Sequence, residues 1–197
     1  MKQGNLLVSF DPPDDWACWR PGPSGLTEDE RIELTDGVGF RDSAVTQEAI
    51  RAIDQVAHTA NDDDGVAVCG VWFPSQKQGL PVASLFVRMY SRSQPRDLAV
   101  QQFLAVAKEP PSLPGCLISH YESFQSEVDL GILVGSTLVY SEASGDAACI
   151  IRYVIFPEVA DEVAVFDFST QDLNQFDALS DSSVQIINNA YYLQEDE

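Results

Sequence analysis

The sequence AACIIRYVIFPEVADEVAVFDFST, residues 147–170, is the most informative stretch for the fold of this chain. It contains two apolar runs, residues 147–156 and 162–169, in which the strand-forming residues Val, Ile, Phe and Tyr are frequent. We predict that each run forms a β-strand. The short loop of residues 157–161 is expected to join them as an antiparallel hairpin.

Two charged residues interrupt these runs, Arg152 in the first and Asp167 in the second. A hairpin closed at residues 157–161 places their side chains opposite each other or one step apart. We therefore expect a cross-strand ion pair within the sheet. The alternative is that Arg152 binds a ligand. Exchanging the two charges should restore stability in the first case, whereas lost binding with an intact fold would indicate the second.

Further strands and helices are predicted on both sides of this hairpin. Apolar patterns typical of β-structure predict strands at residues 6–10, 66–73, 81–90, 116–119, 128–134 and 137–141. Helical spacing and capping residues predict helices at residues 27–34, 46–60, 96–108 and from about 181 to 193. Residues 16–25 contain two Trp, two Pro and two Gly, which is typical of a loop.

This order of elements predicts an α+β fold with a mostly antiparallel sheet flanked by helices. The length of 197 residues suits one domain, which we expect to span residues 1–197. The Pro-rich residues 109–114 are a candidate internal linker. Because 45% of the residues are apolar and 21% are charged, we expect a globular chain and not a disordered one.

Several of these segments resemble the PsbP-like superfamily. They are FDPPDDW at residues 10–16, CIIRYV at 149–154, VFDFST at 165–170 and FDAL at 176–179, and VASLFV at 82–87 resembles small proteins of high-GC bacteria. The superfamily includes a photosystem extrinsic subunit, a nuclear import factor and mycobacterial lipoproteins of the LpqN type. The resemblance implies an α/β/α sandwich used for binding and assembly and not for catalysis. The chain departs from these relatives because we find no lipobox, no secretory signal and no basic surface.

The charge of the chain is strongly negative, with 31 acidic and 11 basic residues, a net charge of −20 and a pI near 4.1. This disfavours nucleic acid and anionic membranes as partners, because both are bound through Lys and Arg. Residues 1–8 lack the apolar region of a signal peptide, so we expect a cytoplasmic protein. The four cysteines are scattered, and we expect free thiols.

The sequence contains few residues suited to catalysis or metal binding. His58 and His120 are the two histidines, and neither lies in a GxSxG or HExxH motif. The run Asp62-Asp63-Asp64-Gly65 is similar to the start of a calcium loop, but no glutamate follows at the twelfth position. We therefore expect no enzymatic activity, no cofactor and no metal.

Acidic loops and tryptophans are the candidate binding features. Acidic clusters in several loops predict a negative field that steers a basic protein partner, although the same clusters could serve solubility alone. The candidate partner-binding residues are Asp14, Asp15, Trp16, Trp19, Asp62, Asp63 and Asp64. The tryptophans could be exposed anchors at an interface or could close the open end of a small sheet. The oligomeric state is not predicted.

These observations leave three hypotheses for function. The first is a non-catalytic protein-binding or assembly module, linked to a bacterial secretion or envelope system. The alternative is an acidic immunity protein that neutralises a basic toxin such as a nuclease. A small hydrolase is the third, and it would need a cleft that groups a histidine with a carboxylate or a thiol. Neighbouring genes for secretion machinery favour the first hypothesis, and a neighbouring polymorphic toxin gene favours the second.

Overall fold

The computed structural model describes residues 6–22, 24–40, 42–61, 65–75, 79–158 and 160–194. The strands in these ranges are β1 (Leu6–Phe10), β2 (Trp16–Trp19), β3 (Val66–Trp72), β4 (Ala83–Ser91), β5 (Cys116–Val128), β6 (Gly131–Glu142), β7 (Ala147–Pro157), β8 (Glu162–Thr170) and β9 (Ala190–Gln194). The α-helices are α1 (Glu28–Val38), α2 (Ser43–Asn61), α3 (Arg96–Val106) and α4 (Phe176–Asn188). A 3-10 turn, Leu173–Gln175, precedes α4.

Seven strands form one antiparallel sheet in the order β2-β3-β4-β8-β7-β6-β5. Strands β1 and β9 form a separate antiparallel ribbon. The hairpin predicted from residues 147–170 is β7 and β8. The predicted α+β class with an antiparallel sheet flanked by helices is therefore confirmed.

The two faces of the sheet are covered by different elements. On the first face, α4 and the β1–β9 ribbon pack against Leu85, Phe166 and Phe168, which are buried. On the second face, α1 and α2 cover β2 and β3, while α3 covers β6, β7 and β8. Because side chains alternate along a strand, Phe166 and Phe168 point to the first face and Val165 and Asp167 to the second. The result is three layers, with a groove beside α3 on the second face.

Local sequence explains where the helices begin and end. Thr27 and Glu30 form a reciprocal capping box before α1, and Gly39 ends this helix in the left-handed conformation with φ 85°. The Asp42 side chain accepts hydrogen bonds from the backbone amides of Ala44 and Val45 at the start of α2. The apolar stripe of α2, which predicted this helix, packs in the core with Phe73 and Val71.

The prediction of a loop at residues 16–25 is wrong for its first four residues. Trp16–Trp19 forms β2, an edge strand that pairs with β3. The prolines and glycines that suggest a loop lie after Trp19. A strand of four residues is too short to show a clear alternation of apolar and polar side chains. Its partner strand β3, which contains Trp72, is far along the chain and so gives no local signal.

Three further boundaries differ from the predictions. Residues 116–142 form two long strands joined at Asp129 and Leu130, in place of the three short strands expected. Strand β5 lies at the sheet edge and is mostly exposed, so its sequence lacks an apolar pattern. The last helix begins at Phe176 and ends at Asn188. Residues 190–194 are not part of this helix and form a strand that pairs with β1.

Candidate functional site

A row of polar side chains crosses the groove at the centre of the sheet. Arg152 on β7 and Asp167 on β8 are direct partners in the strand register. Arg152 Nε donates to Asp167 Oδ1 at 2.6 Å, and Nη2 donates to Oδ2 at 3.0 Å. Arg88 on β4 donates from Nη1 to the same Oδ2 at 3.0 Å, and its guanidinium lies over the Phe86 ring. Asp167 is thus shared between two guanidinium groups.

The three charged groups differ in their exposure to solvent. The Arg152 side chain is 48% exposed, whereas those of Arg88 and Asp167 are 20% and 14% exposed. The hydrogen bonds to Asp167 raise the pKa of Arg152 further above its ordinary value, so Arg152 remains charged. The carboxylate therefore lies beneath its partners, and the group that faces the groove is a cation.

Two polar residues extend this row toward the sheet edge. Ser136 on β6 is the direct register partner of Arg152. Tyr121 on β5 donates its hydroxyl hydrogen bond to the Ala107 carbonyl at 2.7 Å, at the end of α3. Partial burial raises the pKa of Tyr121. The hydroxyl therefore stays protonated near neutral pH and connects α3 to the edge of the sheet.

Cavities lie on both sides of Arg152. One of 630 Å³ is bounded by α3, β4, β7 and β8, and another of 690 Å³ lies between the end of α3 and strands β5 to β7. A third cavity of 920 Å³ lies between α2 and the far ends of β4 and β8. Each has a volume in the range of pockets that bind small molecules.

A second candidate site is a cleft of 590 Å³ between β2 and α1. Asp14, Glu30 and Glu33 contribute carboxylates to its lining, and Arg20 contributes a cation. The hydrogen bonds from Thr27 lower the pKa of Glu30, so this carboxylate is ionised. We call Asp14, Asp29, Glu30, Glu33 and Asp36 the acidic α1 surface; all five residues are exposed.

The structure contradicts the interpretation of Trp16 and Trp19 as exposed anchors. Trp16 is 4% exposed, stacks on Trp72 and donates from Nε1 to Ser182 Oγ at 2.8 Å. Trp19 is 9% exposed and belongs to the core beneath α1 and α2. Both rings are held by packing at the edge of the sheet, which is the alternative that the sequence left open.

The predicted acidic residues have different roles. Asp14 is exposed at the cleft, whereas Asp15 is partly buried and accepts a hydrogen bond from Trp72 Nε1 at 2.8 Å. Asp15 therefore orients a core residue in addition to any contact with a partner. Asp62, Asp63 and Asp64 lie outside the described residues. Their predicted role in partner binding stays a prediction.

The groups considered for catalysis lie apart from the groove. His120 Nε2 is 3.8 Å from Glu122 Oε2, with both side chains exposed on β5. Burial raises the pKa of Cys69 to about 12 and that of Cys149 to about 11, which disfavours the thiolate. Within the ranges given above, no three His, Cys, Asp or Glu side chains come together to hold a metal ion. No helix among the described residues is long and apolar enough to cross a membrane.

The contribution of Arg88 to the polar row was not predicted. The alternation of β4 already assigns Ser84, Arg88 and Tyr90 to one polar face, which is a usable signal. What the sequence does not reveal is that β4 lies next to β8, because 79 residues separate Arg88 from Asp167.

Comparison with solved structures identifies the fold. The structure is similar to that of LpqN, described as involved in cell envelope biogenesis of Mycobacterium tuberculosis, with a TM-score of 0.53 and 13% identity over 96% of this chain and 84% of LpqN. A structure from Bacteroides thetaiotaomicron VPI-5482 gives a TM-score of 0.46 with 10% identity, over 99% of this chain and 50% of the other. Cyanobacterial PsbP from Synechocystis sp. PCC 6803 gives 0.39 with 12% identity, over 97% and 94%. No protein-family model and no curated protein matches the sequence. The similarity to LpqN shows that this chain shares the LpqN fold, one of the types that the sequence resembles.

Proposed function

We propose that this chain is a non-catalytic protein-binding module whose partner is positively charged and docks on the acidic α1 surface. The observation that supports this most directly is the arrangement of carboxylates around one cleft. Asp29, Glu33 and Asp36 follow each other at i, i+4 and i+7 and so share one side of the helix. Asp14 and Glu30 line the adjoining cleft.

Glu30 caps α1 through Thr27, but the local charges favour a partner and not an internal role for the other side chains of this surface. Arg31, the one basic residue in α1, donates to Asp54 of α2 at 2.6 Å and so points away from the acidic α1 surface. Like charges at helical spacing repel each other and destabilise a helix by a few tenths of a kcal/mol per pair. A basic partner would relieve that repulsion and would be attracted by the overall charge of −20.

Two partner classes fit this proposal. LpqN, which shares the fold, is described as involved in cell envelope biogenesis. By analogy, the first partner class is a component of a bacterial envelope or secretion system. The second is a basic toxin such as a nuclease, which this chain would neutralise in the cytoplasm as an immunity protein. The large negative charge supports the second class, because occlusion of a basic active site depends on opposite charge.

A charge-reversal experiment tests the proposal. The variant Glu33→Lys/Asp36→Lys is compared with Glu122→Lys/Glu127→Lys, which makes the same change in net charge at exposed positions of β5. Partners are captured from the native host, identified by mass spectrometry and then purified for titration. We expect the α1 variant to lose binding of a basic partner that the β5 variant retains.

The outcomes separate the possibilities. Equal loss in both variants would mean that overall charge, and not the acidic α1 surface, governs binding. Unchanged binding in both, or a neutral partner, would refute the proposal. The identity of the partner, an envelope or secretion component as opposed to a toxin, distinguishes the two classes.

A further inference from the structure

The groove beside α3 has the composition of a binding site for a small molecule. Its two cavities, of 630 and 690 Å³, share Phe103, Val106 and Arg152 in their linings. Both cavities therefore border Arg152, the exposed guanidinium of the polar row, beside α3. We call these two cavities the channel. Besides Arg152, the charged residues in its lining are Arg88 and Asp167 on the β8 side and Glu109 on the β5 side.

The walls of this channel are mostly apolar. On the β8 side, Phe103 packs edge-on against Phe156 at a centroid distance of 5.8 Å, next to Val154 and Val165. On the β5 side, the lining residues Leu113, Leu138 and Ile150 continue this surface. Val106 borders both cavities and is 75% exposed. Such a surface favours an aliphatic or aromatic chain, because burial of apolar area is stabilising.

The charge in the channel specifies the head group of an occupant. Arg152 faces the groove, and Asp167 lies beneath it and is shared with Arg88. Tyr90 lines the cavity on the β8 side of Arg152, and Tyr121 lines the cavity on the β5 side. A carboxylate is suited to this position, since guanidinium groups form strong, charge-assisted hydrogen bonds with carboxylates.

We propose that the channel binds an amphipathic carboxylate such as a long-chain fatty acid. The head group contacts Arg152, and the chain lies between α3 and the sheet, against Phe103 and Val106. This site is separate from the acidic α1 surface and does not depend on the proposed protein partner. The two proposed ligands have opposite charges, because the channel binds an anion whereas the acidic α1 surface binds a cationic partner.

Fluorescence titration with cis-parinaric acid, a naturally fluorescent long-chain fatty acid, tests the proposal. Its methyl ester serves as the uncharged comparison. We expect saturable binding of the acid, and we expect binding of the ester to be weaker by about 10-fold or more. Arg152→Gln should weaken binding of the acid by a similar factor. In each case a hydrogen bond to a charged group is lost. The matched control is Arg51→Gln, which removes an exposed charge on α2, outside the channel.

A second variant tests the same site in case Arg152→Gln does not fold. Val106→Glu changes an exposed residue that borders both cavities and should weaken binding of the acid more than that of the ester, because it adds a negative charge beside the head group. Thermal unfolding confirms that each variant is folded. Equal affinity for acid and ester, no saturable binding, an equal loss in Arg51→Gln, or binding of a peptide C-terminus in place of the fatty acid would overturn the proposal. Retained fatty-acid binding by Glu33→Lys/Asp36→Lys would show that the channel binds its ligand independently of the acidic α1 surface.

Discussion

Removal of Asp167 should destabilise the fold more than removal of Arg152, although the two residues form one ion pair. Asp167 accepts three hydrogen bonds from two guanidinium groups and is 14% exposed. Asp167→Ala leaves Arg88 and Arg152 close together without the carboxylate that they share. Loss of one partner of a fully buried pair costs about 3–5 kcal/mol. Because Arg152 is half exposed, we expect about 3 kcal/mol for this variant.

The reverse substitution should cost less. In Arg152→Ala, Asp167 keeps its hydrogen bond from Arg88, and the lost guanidinium is half solvated. We expect a loss of about 1–2 kcal/mol. Exchange of the two charges should recover only part of the stability, because Arg88 would then lie beside an arginine at position 167.

Urea unfolding followed by far-UV circular dichroism measures these differences. For a slope of about 2 kcal/mol/M, a loss of 3 kcal/mol lowers the midpoint by about 1.5 M. Equal losses in the free energy of unfolding for Asp167→Ala and Arg152→Ala would contradict the inference that Asp167 is shared between two arginines. Full recovery by the charge exchange would mean that Arg88 takes no part in the network.

Four further predictions concern the core, the cysteines and the surface charge. Trp16→Phe should lower the free energy of unfolding by about 2 kcal/mol in a denaturant titration, because it removes the hydrogen bond to Ser182 and buried ring volume; an unchanged midpoint would contradict the buried role of the indole. In the folded protein at pH 8, iodoacetamide should label Cys116, which is partly exposed, before Cys69 and Cys149, as followed by peptide mass spectrometry. Burial raises the pKa of Cys69 from 9.0 to about 12. Its neutral thiol therefore stabilises the fold below pH 9, and this contribution is lost as the pH rises toward 12. An alkaline denaturation curve that Cys69→Ala leaves unchanged would refute this prediction. Binding of the basic partner should weaken as salt rises from about 0.05 to 0.5 M, since exposed charges are screened; a dissociation constant independent of salt would exclude the electrostatic docking proposed here.

The predictable part of the fold is the part whose strands are close in sequence. The β7–β8 hairpin could be predicted, with Arg152 and Asp167 opposite each other or one step apart, because its loop is short and its apolar runs are long. The structure makes them direct partners. Helix α1 could be predicted from its capping residue and α2 from its apolar stripe, because both are local signals.

The unpredicted part depends on pairing between distant segments. Strand β9 pairs with β1 although more than 170 residues separate them, and the helical pattern of α4 continues through Ala190 and Tyr191. The groove has the same origin. It requires β4 to lie beside β8 and α3 to cross β6 and β7, and neither contact leaves a local signal in the sequence.

The distribution of arginine explains how one chain can offer surfaces of opposite charge. Most arginines of the described residues form ion pairs with carboxylates: Arg31 with Asp54, Arg51 with Glu48, Arg88 and Arg152 with Asp167, Arg92 with Asp161, and Arg96 with Asp97 and Glu158. Because 31 acidic residues outnumber 11 basic ones, the charge that remains outside these pairs is negative. Arg152 differs because its side chain is 48% exposed, whereas Asp167, the carboxylate that it shares with Arg88, is 14% exposed. Substitutions that neutralise acids on α1 should therefore weaken the protein partner without affecting a carboxylate in the groove, while substitution of Arg152 should have the opposite effect.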